Sequence, residues 1–356
     1  MITPSPNISS YDLLDTENTP IELITFKNQT AYGDRAIPKL TFELTSPDLQ
    51  TRINALAFLA KILHKPENAL YSLSYNIIDI LLLIIKDDSD IEKELATRSV
   101  YIYTGIYISC HTIVNQNSFY ILFEELNSNN KQIRKNIYEI FNRICSTDPE
   151  GVNLFLSMNY LPPLINKLKI EKYDLQYIIL NLLYHCIKRG RPPHIPNQAL
   201  ECHSLEIFSQ FLEPHIPAQL KIIAEKCIMA LCVYHDSKVI SCEIKIVQKL
   251  IKLLTNRKKE VRVNAVGALM NISIYDQAKK ILSGTKAMTY LLNNLNDDHQ
   301  DVILYSLKTL TNMSEDYTIR YQLLNNLDKF NVFLNHSNPN IIKSAKEAIN
   351  CIKWKP

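Results

Sequence analysis

The segment VRVNAVGALMNIS, residues 261–273, decides the fold because its apolar pattern occurs eight times along the chain. Its first valine is followed at offsets of 4, 8 and 11 residues by Ala265, Leu269 and Ile272. In a helix with about 3.6 residues per turn, these offsets place the four side chains in one apolar stripe. The first residues of the eight segments, which we call anchors, are Thr51, Ile91, Ile133, Leu175, Leu220, Val261, Val302 and Ile341.

The anchors are 39 to 45 residues apart, and a period near 40 is typical of armadillo and HEAT arrays. In such arrays each repeat buries its apolar face against its neighbours. We therefore predict an all-α, right-handed armadillo/HEAT-type superhelical solenoid of about eight repeats over residues 35–356. Each full repeat should hold two helices before the next anchor helix. The second of these is predicted at Leu81–Ile85, Leu164–Leu168, Leu250–Leu254 and Leu291–Leu295.

Polar residues just before the anchors predict where the anchor helices begin. Their oxygens can accept hydrogen bonds from free amides, and the acidic ones favour the positive end of the helix dipole. Ser46-Pro47 and Asn338-Pro339 each place a capping side chain before a proline at the first helical position. The other predicted start residues are Asp90, Asp174, Glu260, Asp301 and Asn340.

Three features lie outside the repeat pattern. Residues 1–34 are predicted to be an extended N-terminal tail that docks on a partner or packs over the first repeat as a cap. Residues 188–204 contain three prolines and are predicted to be a surface loop, either a contact site or a tolerated insertion. Trp354, the only tryptophan, is expected to pack across the open end of the array or to contact a neighbouring chain.

The composition argues against an enzyme. Glycine occurs only six times, and the sequence has no glycine-rich phosphate loop, no G-x-S-x-G and no H-E-x-x-H or C-x-x-C metal motif. His111, His185 and His203 each adjoin a cysteine, but adjacent side chains on a helix point about 100° apart and are poor ligands for one metal. We therefore expect no catalytic, cofactor or metal site, and reduced cysteines that act as apolar fillers.

Charge and targeting signals point to a protein partner in the cytoplasm. The net charge of +3 predicts no general attraction to nucleic acid or to a membrane. The polar, proline-bearing N-terminus lacks the features of a signal peptide. Ile77–Ile85, the most apolar stretch, is too short to span a bilayer and contains Asp79.

The third helices of armadillo arrays line a concave groove, where an asparagine near the helix end can bond the backbone of an extended peptide. Ten residues past its anchor, this chain has Asn271 and Asn312. The other repeats carry different residues there, and the tryptophans that partner such asparagines are absent. The peptide ladder of nuclear-import carriers is therefore not reproduced, and a groove for one extended basic peptide is not expected.

Basic residues cluster in the sixth repeat and recur beside the anchors. The ordinary interpretation is a solvated helix face with charged turns. A functional interpretation is an acidic protein partner, and nucleic acid ranks third because no aromatic residues are interleaved. We expect Asn271, Asn312, Arg262, Lys258 and Lys259 to contact a partner. The cluster is Lys249, Lys252, Arg257, Lys258, Lys259 and Arg262, and the recurring residues are Arg52, Arg134, Lys221 and Arg262.

One stretch is more specific than a generic armadillo repeat. Residues 31–73 contain AYG-x-RA-x-PKL and then EL-x-S-x-DL-x-TR. This stretch resembles the start of the radial spoke head protein fourteen family, also called the rhabdoid tumour deletion region protein. KDDSDI at residues 86–91 and VRVNAVGALMNIS at residues 261–273 are similar to that family as well, and length and repeat count agree.

The resemblance implies a non-enzymatic structural subunit of the radial spokes of motile cilia and flagella. Such a subunit would bind other radial spoke proteins and help relay mechanical signals between the central apparatus and the dyneins on the doublets. The expected location is the cytoplasm and cytoskeleton, in the ciliary axoneme. The alternative is a soluble armadillo adaptor or carrier that binds peptides.

Overall fold

The computed structural model describes residues 33–86, 89–190 and 194–354. Almost all of the predicted N-terminal tail, residues 1–32, lies outside the described residues. The regular elements within the described ranges are α-helices and short 3-10 turns, without a strand, so the predicted all-α fold is confirmed. The chain divides into two compact units, residues 1–102 and 103–356.

The described part of the first unit contains one two-helix repeat and one repeat of three helices. Its third helices, α2 and α5, carry the first two anchors. Leu56 and Leu59 of α2 and Val100 of α5 are fully buried. The helices are α1 Ala36–Leu44, α2 Leu49–Ile62, α3 Pro66–Leu73, α4 Ile77–Ile85 and α5 Asp90–Tyr103.

The second unit completes six further repeats of three helices each. Its third helices are α8, α11, α14, α17, α20 and α23, and each packs on the next along the chain. The helices are α6 Tyr107–Ile113, α7 Gln116–Glu124, α8 Lys131–Thr147, α9 Pro149–Ser157, α10 Leu161–Lys167, α11 Tyr173–Arg189, α12 His194–Glu201, α13 Ser204–Gln210, α14 Ala218–Leu231, α15 His235–Glu243, α16 Ile246–Leu253, α17 Lys259–Ile272, α18 Asp276–Ser283, α19 Ala287–Asn294, α20 Gln300–Met313, α21 Tyr317–Leu324, α22 Asp328–Asn331 and α23 Pro339–Lys353.

The apolar stripe is the core of each third helix. The six anchors of the second unit are fully buried, and burying one such aliphatic side chain stabilises a fold by about 1.5–3 kcal/mol. Neither anchor of the first unit is buried, because Thr51 is half-buried and Ile91 is 59% exposed. The first turn of α5 instead places Glu92 on the packed side, where its carboxylate pairs with Arg52.

The helix starts are partly as predicted. The Asn338 side chain caps α23 by accepting a hydrogen bond from the Asn340 amide at 3.0 Å, with Pro339 at the first helical position, which confirms that prediction. Ser46 is not a cap, because Asp48 holds that place and accepts from the Thr51 amide at 2.8 Å. The predicted start residues lie inside the first helical turn rather than before it: Asp90, Asp174, Glu260, Asp301 and Asn340.

The stretch predicted as a surface loop, residues 188–204, is largely helical. Its start is the end of α11, and its centre is α12, in which Ala199 is fully buried. Pro196 lies in the first turn of α12, where a missing amide proton costs no helical hydrogen bond. The stretch is therefore the first helix of the fifth repeat rather than an insertion; residues 191–193 lie outside the described residues.

All eight cysteines are free thiols, and six of them are buried. Cys186 and Cys227 lie in the packed faces of α11 and α14 as small apolar side chains, as predicted for fillers. Cys351 differs because it is exposed on α23. Among the described residues, no single helix has the length and apolar composition to cross a membrane. The helices α3 and α4 meet these two criteria only when they are taken together, and the angle of the bend between them is 85°.

Candidate binding face of the third helices

Four consecutive third helices of the second unit, α11, α14, α17 and α20, each leave one stripe partly uncovered by their neighbours. Most residues of a stripe are spaced three, four or seven apart, so they share one side of their helix, and Asn271 and Asn312 lie beside this side, directly after Met270 and Thr311. We call the four stripes together the open face. Its residues are Tyr177, Asn181, Tyr184 and Lys188 on α11, Ile222, Lys226, Met229 and Val233 at α14, Val263, Met270, Asn271 and Ile274 at α17, and Leu304, Lys308, Thr311 and Asn312 on α20.

The two predicted contact asparagines join adjacent stripes. The Nδ2 atom of Asn271 donates a hydrogen bond to the carbonyl of Met229 at 2.9 Å, and Nδ2 of Asn312 donates to the carbonyl of Met270 at 3.0 Å. Asn312 also donates to the Oγ atom of Ser273 at 2.9 Å. These amide groups therefore hold consecutive repeats in place. Whether the asparagines also contact a partner stays a prediction.

Gly267 makes close packing possible at the centre of the open face. A Cβ atom at this position would lie 2.6 Å from the Sδ atom of Met229 and 3.3 Å from the ring of Tyr305. The glycine thus lets side chains from the repeats on either side approach each other over α17. Together with the asparagine bonds, this contact makes the stripes of α14, α17 and α20 one continuous surface.

Tyr184 is the centre of the cationic part of the open face. The ammonium groups of Lys188 and Lys226 lie 5.4 Å and 5.9 Å from the centroid of its ring. Both distances are within the range of cation–π attraction. In the described part of the chain, neither lysine forms an ion pair with a carboxylate, so both charges are available to a ligand.

His185 adjoins this pair of lysines on α11. Burial, with the positive charges of Arg189, Lys188 and Lys226, lowers the pKa of His185 to about 4. The imidazole is therefore neutral at physiological pH. Its lowered pKa reflects burial first and, after it, the positive charges near Tyr184.

Arg262, predicted to contact a partner, is engaged inside the chain. Its Nε atom lies 2.6 Å from the Oδ2 atom of Asp297 in the seventh repeat. Its NH1 group donates to the carbonyls of Asn256 and Arg257 in the turn before α17, at 2.9 and 3.2 Å. Contact with a partner stays a prediction, but the guanidinium is not a free cation.

The same arrangement recurs at two other anchors. Arg134 pairs with Glu171 at 2.7 Å, and within the first unit Arg52 pairs with Glu92 at 2.6 Å. Each arginine also donates to two carbonyls of the turn before its own helix. The three recurring arginines are thus connections between repeats, whereas Lys221 donates only to the Pro214 carbonyl before its own helix among the described residues.

The basic cluster of the sixth repeat therefore separates into two parts. Lys249 is paired with Glu213 at 2.8 Å, as Arg262 is with Asp297. Lys258 and Lys259 are exposed at the start of α17 and form no ion pair among the described residues. These two lysines fit the prediction of an accessible positive charge, although they lie at the end of the helix and not on the open face.

Sequence reasoning missed both Tyr184 with its lysines and the acidic partners of the arginines. One signal was available: Glu171 and Asp297 stand four and five residues before the following anchors, Leu175 and Val302. The contact of Lys226 with Tyr184 had no such signal, because the two residues lie on different helices, α14 and α11, that only the packing of the repeats brings together. Among the described residues, no three His, Cys, Asp or Glu side chains are grouped to hold a metal.

Trp354 lies at the end of the array and is partly packed. The guanidinium carbon of Arg320 is 4.9 Å from the centroid of its ring, and Arg320 donates to the Trp354 carbonyl at 3.3 Å. The indole is still 58% exposed and lines a shallow pocket with Glu315 and Cys351. The position fits packing at the end of the array and leaves the outer side of the ring uncovered.

No protein-family model matches the chain. An engineered protein from a structural genomics consortium aligns with a TM-score of 0.76 at 16% identity, over 90% of this chain and 89% of its own. A designed armadillo repeat protein in complex with the peptide (KR)4 aligns with a TM-score of 0.59 at 18% identity, over 65% and 98% of the two chains. Computationally designed armadillo repeat proteins for modular peptide recognition give 0.59 and 20%, over 65% and 98%. The likeness shows the fold: the chain is an armadillo-repeat solenoid.

Proposed function

We propose that the chain is a non-enzymatic scaffold that binds a segment of another protein on the open face. The observation that supports this most is the pair of lysines around Tyr184, which carry unpaired charges on a surface built jointly by several repeats. Such a surface offers affinity through many small contacts rather than through one reactive group. The two designed armadillo proteins with a similar fold are described by peptide recognition, which favours the same mode of binding.

As the finer proposal, the scaffold is a structural subunit of the radial spokes in the axoneme of motile cilia and flagella, where it binds other radial spoke proteins. This assignment rests on the resemblance of residues 31–73 to the radial spoke head protein fourteen family. A soluble peptide-binding adaptor or carrier is the second candidate, favoured by the likeness to the designed peptide binders.

The experiment that separates the two candidates is fractionation of a tagged chain from ciliated cells. The cells are demembranated, the axonemes are washed at low salt and then extracted at high salt, and co-extracted proteins are identified by mass spectrometry. A spoke subunit stays with the axoneme at low salt and is released together with radial spoke proteins. Complete loss with the detergent-soluble pool contradicts the spoke assignment and supports the carrier.

A further inference from the structure

We propose that the open face takes an acidic, extended peptide segment, with carboxylates bound at Lys188, Lys226 and Lys308. The inference rests on the proposed function, since it names the class of partner for the same surface. It follows from the charge of the face, the position of the lysines over Tyr184 and the spacing of side chains in an extended chain.

The charge of the open face has one sign. Lysine is the only charged residue type among its sixteen positions, and it occurs on α11, α14 and α20. Glu315 continues the stripe of α20 at the position that matches Lys188 on α11, and its carboxylate is paired with Lys279. Because an uncompensated positive surface attracts anions and repels cations, the face favours an acidic ligand over a basic one.

The two lysines at Tyr184 are held in position before any ligand arrives. Each ammonium group is attracted to the same ring, and each comes from a different repeat, Lys188 from the fourth and Lys226 from the fifth. A flexible lysine loses rotamer entropy when it binds a carboxylate, and a side chain that is already oriented loses less of it. The pair is therefore better suited to binding than the exposed Lys258 and Lys259.

The upper limit on the spacing of the pair accommodates a peptide in extended conformation. Both ammonium groups lie within 6 Å of one ring centroid, so their separation cannot exceed the sum of 5.4 and 5.9 Å. Side chains on one side of an extended chain recur about every 7 Å. Two acidic residues separated by one residue can thus meet the two lysines, and Asn181 next to them offers a polar group for the peptide backbone.

The direct test is fluorescence anisotropy with three labelled peptides of equal length, (ES)4, (QS)4 and (KR)4, against the full chain. We expect (ES)4 to bind and the other two to bind at least tenfold more weakly, with an affinity for (ES)4 that falls as salt rises. The double variant Lys188→Gln and Lys226→Gln should weaken (ES)4 by about five- to thirtyfold, the sum of two partly exposed charge pairs.

A matched control removes two positive charges elsewhere. Lys280 and Lys286 are exposed, lie away from the third helices, and lose the same charge in the double variant Lys280→Gln and Lys286→Gln. This control should change the affinity for (ES)4 less than twofold. An equal loss in the control would overturn the inference, because it would mean attraction to net charge and not to the site.

The remaining outcomes separate the inference from the proposed function. Tighter binding of (QS)4 or (KR)4 that is lost in the variant Asn181→Trp overturns the acidic class but leaves the open face as a binding surface. Binding of none of the three peptides, in a chain whose circular dichroism and melting temperature are normal, contradicts the inference; if the axoneme fractionation also yields no co-extracted protein, the proposed function fails with it.

Discussion

Two adjacent junctions between repeats of the second unit are held by different side chains at the same position. The sixth repeat uses Arg262, whose guanidinium bonds Asp297 of the next repeat and two carbonyls of the turn before its own helix. The fifth repeat has Lys221 at the matching position, and its ammonium group reaches only the carbonyl of Pro214 at 3.1 Å. The planar, five-donor guanidinium connects three partners, whereas the lysine connects one.

The fifth repeat also contains a buried acid without a partner. Glu225 is fully buried on α14, and neither carboxylate oxygen has a hydrogen bond. Burial raises the pKa of Glu225 well above its usual range, and the charge of Lys221 opposes this only in part. The matching positions in the fourth, sixth and seventh repeats are the apolar residues Leu180, Val266 and Leu307. The comparison teaches that a buried acid at a junction needs a cation placed to bind it, as Arg262 binds Asp297.

The largest expected effect is the loss of the arginine. Arg262→Ala leaves Asp297 largely buried without its cation and releases two carbonyls, so we expect a loss of roughly 3 kcal/mol in the free energy of unfolding. Urea denaturation followed by circular dichroism measures it. The control Lys258→Ala, at an exposed lysine of the same repeat, should change stability by less than about 0.5 kcal/mol. Similar losses in both variants would show that the junction does not depend on the ion pair.

The opposite sign is expected where the acid has no partner. Glu225→Leu should raise the free energy of unfolding by about 1–3 kcal/mol at neutral pH, because it removes an unsatisfied buried polar group and adds apolar contacts. The comparison variant is Glu201→Leu, whose side chain is exposed and whose substitution should be close to neutral. A destabilised Glu225→Leu protein would contradict the account of an unsatisfied buried carboxylate in the fifth repeat.

The two acids should also respond to pH in opposite directions. Burial raises the pKa of Asp297, but its bonds with Arg262 and the His299 amide lower it below the usual value overall. The stability from Asp297 is therefore present above the carboxyl's unfolded pKa and is lost as pH falls through the folded value. Glu225 has a raised pKa, so its contribution is most favourable at acid pH and is lost as pH rises towards neutrality.

Denaturation at several pH values checks these signs. Relative to the native chain, Arg262→Ala should flatten the loss of stability on acidification, and Glu225→Leu should remove the loss as pH rises above the usual range of a carboxyl group. An unchanged pH profile in Glu225→Leu would mean that the carboxyl titrates normally in the folded protein.

The smallest effect is expected from building an arginine connection where none exists. Lys221→Arg alone should be nearly neutral, because Arg257 stands four residues before the next anchor, where Glu171 stands in the fourth repeat. Lys221→Arg with Arg257→Glu should give a favourable coupling energy of about 1 kcal/mol in a double-mutant cycle. A coupling energy of zero would indicate that the turn before α17 cannot bring a carboxylate to this position.

The sequence predicted the fold well because the apolar stripe has a strict geometric cause. Four buried positions per helix repeat at fixed offsets, and the third helices follow them from α2 to α23. It predicted the loop at residues 188–204 wrongly, since Pro196 in the first turn of α12 was taken as a helix breaker. It could not predict the partner of Lys226, because contacts between repeats depend on the packing of helices more than 40 residues apart in sequence.

The charged residues show the same limit of prediction from sequence, which is that contacts between repeats are not visible in it. Arg52, Arg134 and Arg262 share one position after their anchors, which is visible in the sequence. The sequence does not show how the backbone of the next repeat places their acidic partners. A charge counted as surface is therefore a connection between repeats in three places. Lys188 and Lys226 at Tyr184 can be recognised as a candidate site only after the cations that form ion pairs within the chain are excluded.

The central claim is that the open face holds a protein partner, and photo-crosslinking tests it most directly. A photoreactive amino acid is placed at Asn181 on the open face or, in a second variant, at Ser283, which is exposed on α18 away from it. Both proteins are expressed in ciliated cells and irradiated in demembranated axonemes. The account predicts a defined crosslinked partner from Asn181, through a segment rich in Asp and Glu, and none from Ser283. A partner captured from Ser283 and not from Asn181 would contradict it.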